Sequence, residues 1–168
     1  MKFFNLKQFQ HELLAVINPS DSVIPQGRTE EGVDGRIVAC SDRSSYIAEQ
    51  YKVLRTNLYS LSPENPIKTL IITSPQPEEG KTITSCNLAV TLSLDTEKKV
   101  LLIDSDLRKP TIHNIFNLQR KPGFSDILSS VNTDIDTFIK KPTVGNLYII
   151  PAGTISLLSD NNFNHIFR

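Results

Sequence analysis

The junction "KTLIITSPQPEEGKTITS", residues 68–85, constrains this chain more than any other stretch. A short apolar run stops at Ser74, a turn rich in proline and glutamate follows, and Gly80, Lys81 and Thr82 open a segment with helical spacing from about Thr82 to Leu94. A strand running through a tight turn into a helix N-terminus is the geometry that holds phosphate groups, because the first backbone N–H groups of a helix lack intrahelical acceptors. A lysine there reaches the outer phosphates, and the hydroxyl beside it suits a Mg²⁺ ion. The full spacing, Gly followed by four residues and then Gly-Lys-Ser/Thr, requires glycine at position 75, where this chain has Pro75.

The rest of the chain supplies matching elements. "SSYIAEQYKVLRTNLYSLSPENP" sets Ile47, Tyr51, Leu54, Leu58 and Leu61 on one helical stripe, with Ser45 as candidate N-cap and Pro63 and Pro66 as stops. "KKVLLIDSD" predicts a second strand whose unbroken apolar run suits a sheet covered on both faces. "TIHNIFNL" and "FSDILSSV" predict short helices, and "NLYIIPAG" a third strand. Strand alternating with helix is the signature of an α/β fold with a parallel sheet, right-handed crossovers and flanking helices. In "VLLIDSDLRKP", an extended chain carries Asp104 and Asp106 on one side at the strand's C-terminal end, where open α/β sheets bind ligands. Two such carboxylates suit a hydrated Mg²⁺ ion or a proton leaving a hydroxyl, and Arg108 can offset phosphate charge.

At 168 residues the chain has room for one domain with a core. Residues 1–17, with Phe3, Leu6, Leu13 and Ile17 at helical spacing, predict an amphipathic helix that docks on a membrane or partner, or packs on its own domain. Residues 18–45 mix proline, glycine, serine and charge as a linker or irregular lead-in does, which puts the domain boundary there and the domain itself at 46–168. Eighteen basic residues balance eighteen acidic ones, so no overall field draws the chain to nucleic acid. Cys40 and Cys86 lack metal-ligand spacing, and two free thiols suit a reducing, cytoplasmic setting. Every apolar run is of strand length, far below the roughly 18 residues that span a bilayer.

Taken in order, "EQYKVLRTNL", "TSPQPEEGKT", "VLLIDSDLRKP", "GFSDILSS" and "LYIIPAG" resemble the bacterial tyrosine kinases that regulate capsule and exopolysaccharide chain length. The resemblance implies a P-loop NTPase-like fold, ATP and Mg²⁺ as cofactors, and autophosphorylation on tyrosine. It assigns Glu79, Gly80, Lys81, Thr82 and Ile83 to the Walker A loop and Asp104 and Asp106 to the family's Walker A-prime motif. Lys81, Asp104 and Asp106 are then the catalytic candidates, with Asp104 as general base or, with Thr82, as Mg²⁺ partner. A Glu-x-x-Arg-x-x-Arg helix motif that assembles family members into rings corresponds to Glu49, Lys52 and Arg55, with lysine replacing the first arginine and giving up its planar fork. The resemblance further implies a cytoplasmic chain recruited to the inner membrane face by a separate membrane adaptor.

Three departures bear on activity. Glu78 stands where the family has glycine, which costs backbone freedom if φ is positive. Nothing after Gly153 matches the family's Walker B strand, and no C-terminal tyrosine cluster follows. The apolar residues of "SLLSDNNFNHIFR" read as a sheet interrupted before completion, so the domain is expected to be incomplete at its C-terminus. Two other readings fit parts of the pattern. A non-catalytic nucleotide-binding interaction module fits the missing Walker B, and a partition or cell-division positioning ATPase fits the loop but needs a lysine where Gln76 stands.

Overall fold

The computed structural model describes residues 27–29, 32–61, 64, 67–95, 98–129 and 134–154, together with the backbone of 2–5. Strand β1 (Lys2–Asn5) is followed by helices α1 (Val38–Ser41) and α2 (Tyr46–Ser60), strand β2 (Leu70–Thr73) and helix α3 (Lys81–Ser93). Strand β3 (Val100–Ile103), helices α4 (Ile112–Ile115) and α5 (Phe124–Ser129), a 3-10 turn at Ile135–Phe138 and strand β4 (Leu147–Ile150) complete the order. The strands pair in parallel, β1 with β2 and β3 with β4, and this is the α/β architecture the sequence predicts.

Helix α2 begins where expected: the Ser45 hydroxyl accepts the Ala48 N–H at 3.2 Å, satisfying one of the orphan donors of the first turn. Its stripe buries Tyr51, Leu54 and Leu58 beside Ala48, while Leu61 lies beyond the helix and is 57% exposed. Helix α3, "KTITSCNLAVTLS", is rich in β-branched residues and has little intrinsic helical preference. Tertiary burial holds it instead. Cys86, Ala89 and Val90 join a core with Val33, Ile37, Ile112, Ile115, Leu147 and Ile149, while Leu88 enters a second core with Val38, Tyr51, Leu54 and Leu58. Each such aliphatic side chain contributes on the order of 1.5–3 kcal/mol. The helix's buried hydroxyls bond back to its own carbonyls, Thr91 to Asn87 O and Ser93 to Val90 O, both at 2.8 Å.

Two expectations are corrected. Lys2–Asn5 forms a strand rather than the start of a helix, with Phe3 opposite Ile71 and Phe4 opposite Ile72. Adjacent aromatic residues favour an extended chain beside a sheet edge over a helix. The remainder of the 1–17 segment lies outside the described residues. The stretch read as a lead-in is irregular only in part, because Val33, Ile37, Val38 and Ala39 are buried in the same two cores as α2 and α3, with no boundary at residue 45. Asn87 fastens it: its amide oxygen accepts the Ala39 N–H at 3.2 Å, and its amide nitrogen donates to Arg36 O at 3.1 Å and Ile83 O at 3.0 Å.

The sheet is also barer than the unbroken apolar run of β3 suggests. Val100 and Leu102 pack toward α3, but Leu101 and Ile103 on the opposite face are 47% and 41% exposed, as is Ile71 of β2 at 37%. Among the described residues β2 and β3 are covered on one face only, whereas β4 is buried on both. At the C-terminal end of β4, α5 docks through Phe124 N–H to Pro151 O (2.7 Å) and Ser125 N–H to Ala152 O (2.9 Å). A Cβ on Gly123 would lie 2.2 Å from Pro151 O, so only glycine permits that approach.

Candidate functional site

β2 delivers the chain to Ser74, whose hydroxyl donates to Gln76 O at 3.0 Å and starts the turn. The Gln76 N–H then donates to the Glu79 carboxylate at 3.2 Å, closing the loop on itself. Glu78 (φ +64°) and Gly80 (φ +80°) both adopt the left-handed conformation, turning the backbone on each side of Glu79. Glycine adopts this readily; glutamate does so at a cost of roughly 1–2 kcal/mol. Gly80 caps α3, a helix of 13 residues whose opening N–H groups concentrate positive potential at the loop. At that end the half-buried Lys81 ammonium and Thr82 hydroxyl have no hydrogen-bond or ion-pair partner among the described residues. Ile83 packs against the core and anchors the loop's exit.

The two aspartates part company. β3 ends at Ile103, so the alternation of an extended chain no longer applies to the residues after it. Asp104 is buried, 3% exposed, with one carboxylate oxygen accepting the Asp106 N–H and the other the Ile112 N–H, each at 3.2 Å. Burial lifts its pKa from 3.8 to about 6, against the opposing pull of those backbone donors. Asp106 is exposed, and its carboxylate accepts the N–H groups of Arg108 and Lys109 at 3.2 and 3.0 Å. The expected shared side is therefore corrected to one inward and one outward carboxylate. The Arg108 side chain is exposed at the same turn. Among the described residues no group of three or more histidine, cysteine, aspartate or glutamate side chains is gathered as a metal site.

Of the helix-motif residues, Lys52 bonds Glu49 at 2.5 Å and the Arg43 carbonyl at 3.1 Å. Arg55 donates to Thr91 O at 3.1 Å, a cation set against the C-terminal turn of α3 where the helix dipole favours it. In this structure all three serve contacts within the chain.

Comparison with known proteins agrees with this geometry. The CobQ/CobB/MinD/ParA nucleotide-binding domain family matches residues 70–140, from the start of β2 through the loop and both aspartates. The putative tyrosine-protein kinase CapB of Staphylococcus aureus is 38% identical over 129 residues, covering 74% of this chain and 56% of CapB. The tyrosine-protein kinase YwqD of Bacillus subtilis (strain 168) is 36% identical over 119 residues, covering 71% of this chain and 49% of YwqD. The chain belongs to the bacterial tyrosine kinase family. The kinase domain of Escherichia coli tyrosine kinase ETK superposes with a TM-score of 0.69 at 26% identity, covering 89% of this chain and 55% of that one. The chain thus spans about half the length of the curated relatives it matches.

Within this kinase family member, nucleotide binding follows from the matched domain, and the residues at the head of α3 fit a bound phosphate. An ammonium and a hydroxyl without partners among the described residues, and a left-handed glycine at a helix N-terminus, are what such a group needs. Sequence reading missed the part played by Glu79 in shaping the loop and by Asn87 in fastening the lead-in. The second had a visible signal, a lone amide in the apolar run "CNLAV" of a helix whose neighbours must be buried. The first had none, because a glutamate in a turn ordinarily faces solvent.

Proposed function

We propose that this chain carries the ATP-binding portion of a bacterial tyrosine kinase acting in capsule or exopolysaccharide regulation, with Mg·ATP as its ligand. The observation that carries the reading is the loop between β2 and α3, left-handed at Glu78 and Gly80 and ending in Lys81 and Thr82. Phosphates would sit against the α3 N-terminus, with Lys81 on the outer phosphates and Arg108 offsetting further charge. Thr82 and Asp104 would hold Mg²⁺, which when bound neutralises phosphate charge and orients the transferring group. Asp104 is held in place by the backbone N–H groups of Asp106 and Ile112, and in a site where it does not bind Mg²⁺ its alternative role is to accept the proton of a tyrosine hydroxyl.

Of the tyrosines, Tyr51 is a poor acceptor here. It is buried, its hydroxyl is tied to Thr84, and burial pushes its pKa to about 12. Tyr46, at 46% exposed, is open to solvent. No helix of the described residues is long and apolar enough to cross a membrane. This is compatible with a cytoplasmic chain brought to the membrane by a separate adaptor. Assembly of subunits through Glu49, Lys52 and Arg55 would require Arg55 to exchange its Thr91 contact for one across the interface.

The reading is tested by incubating the chain with Mg·ATP and a glutamate-tyrosine copolymer, and following phosphotyrosine by mass spectrometry beside Lys81→Ala. Phosphotyrosine that disappears in the variant supports the kinase. Nucleotide binding without phosphotyrosine favours the interaction-module reading instead.

A further inference from the structure

Helix α4 is a single turn, Ile112–Ile115, and a turn that short does not sustain itself. Its backbone partners show what holds it. Ile112 O and His113 O accept from the N–H groups of Phe116 and Leu118 just downstream, at 3.2 and 2.8 Å. The last two carbonyls are met from the stretch read as a lead-in. Asn114 O, which has only a long contact of 3.3 Å to the Asn117 N–H, accepts the Arg28 guanidinium at 2.9 Å, and Ile115 O accepts the Asp34 N–H at 2.9 Å. At its opposite end the same turn gives the Ile112 N–H to the Asp104 carboxylate at 3.2 Å. One end of α4 is gripped by Arg28 and Asp34, and the other end grips Asp104.

The gripping residues are themselves braced. Arg28 spans two carbonyls, donating to Gly32 O at 2.6 Å as well as to Asn114 O, and such charge-assisted bonds are stronger than neutral ones. Thr29 and Val33 are joined by the Thr29 N–H to Val33 O at 2.8 Å and the Val33 N–H to the Thr29 hydroxyl at 3.2 Å. The Asp34 carboxylate takes the Arg36 guanidinium at 2.9 and 2.8 Å, which fixes the residue whose N–H reaches Ile115. Beneath them Val33 and Ile37 share a core with Ile112, Ile115 and Phe116. The lead-in therefore presents a rigid pair of donors to α4.

We propose that Arg28 is a positioning residue of the nucleotide site, acting through α4 to set the Asp104 carboxylate. Without the guanidinium, the turn loses its strongest hold on Asn114 O and frays. The Ile112 N–H then leaves Asp104, and a carboxylate short of that donor is freer to turn away from the position in which it would meet Mg²⁺. The proposal deepens the Mg·ATP reading and rests on it for its consequence, whereas the chain of contacts from Arg28 to Asp104 stands in the ligand-free protein.

The test compares the full 168-residue chain with Arg28→Met, which keeps the aliphatic stem and removes the donors. Arg28 is exposed, so the core stays intact. Amide hydrogen exchange of the metal-free proteins should show the Ile112 N–H exchanging roughly fivefold faster or more in the variant, with Val90 and Thr91 of α3 unchanged. Isothermal titration should show Mg·ATP binding weakened by a similar factor and ATP binding in EDTA unchanged, because Asp104 would meet the nucleotide through the ion. An Ile112 amide that does not respond overturns the proposal, as does equal acceleration of all three amides. Mg·ATP affinity that does not fall, or that falls as much in EDTA, also overturns it. A parent chain that binds no Mg·ATP would instead overturn the nucleotide reading, and the Ile112 amide would still decide the positioning.

Discussion

The backbone N–H of Gln76 donates to the Glu79 carboxylate at 3.2 Å, so an acidic residue of the loop is also the group that folds the loop back on itself. The acidity of "PEEGKT" is therefore partly structural. Glu79→Gln keeps an acceptor oxygen and removes a negative charge near the proposed phosphate position. We expect it to bind Mg·ATP more tightly than the parent chain. Glu79→Ala loses the acceptor and should lower stability by about 1 kcal/mol. Urea unfolding and nucleotide titration of the two variants separate the contributions.

Glu78 occupies a left-handed conformation at φ +64°. Replacing it with glycine removes the steric cost, and the gain is partly cancelled by the greater freedom of glycine in the unfolded chain. Glu78→Gly should raise stability by roughly 0.5–1 kcal/mol. Glu78→Val, β-branched and poorly suited to positive φ, should lower it. The midpoints of urea unfolding check both signs.

Asp104 predicts a pH dependence of unusual sign for a carboxylate. Its folded pKa, about 6, lies above its ordinary 3.8 because burial disfavours the charged form. The folded state therefore binds more protons than the unfolded state between these values, and this contribution to stability is lost as pH rises from about 4 to about 6. The size is on the order of 2–3 kcal/mol. Metal-free chain should show this fall in urea titrations across that interval, and Asp104→Asn should flatten it.

Asn87 makes three hydrogen bonds from a position 1% exposed. Asn87→Ala strands the Ala39 N–H in the interior and takes the donor from the Arg36 carbonyl, and should cost about 1–3 kcal/mol. Accelerated amide exchange at Ala39 would show that the lead-in has come loose from α3. Loss of stability with exchange there unchanged would contradict the assigned role.

What the sequence made legible was local. Ser45 could be named as a cap because a hydroxyl before a helical stripe has one obvious use, and the presence of strands β2 and β3 followed from their apolar runs. The loop could be read because a lysine at a strand-to-helix junction has few structural purposes. Val33 and Ile37 escaped notice because their burial comes from Ile112, Ile115 and Leu147, far along the chain, and nothing in their own periodicity records it. Asp104 and Asp106 were misjudged as a pair because the rule for extended chain was carried past the end of β3. The pairing of strands was likewise invisible, since apolar runs reveal a strand but not its neighbour.

The central claim, that the loop between β2 and α3 holds nucleotide phosphates, is tested most directly by isothermal titration of Mg·ATP into this chain and into Lys81→Ala. The account predicts saturable 1:1 binding by the parent chain, and at least tenfold weaker binding by a variant that unfolds at the same urea concentration. Equal binding by the two, or none by a folded parent chain, would contradict it.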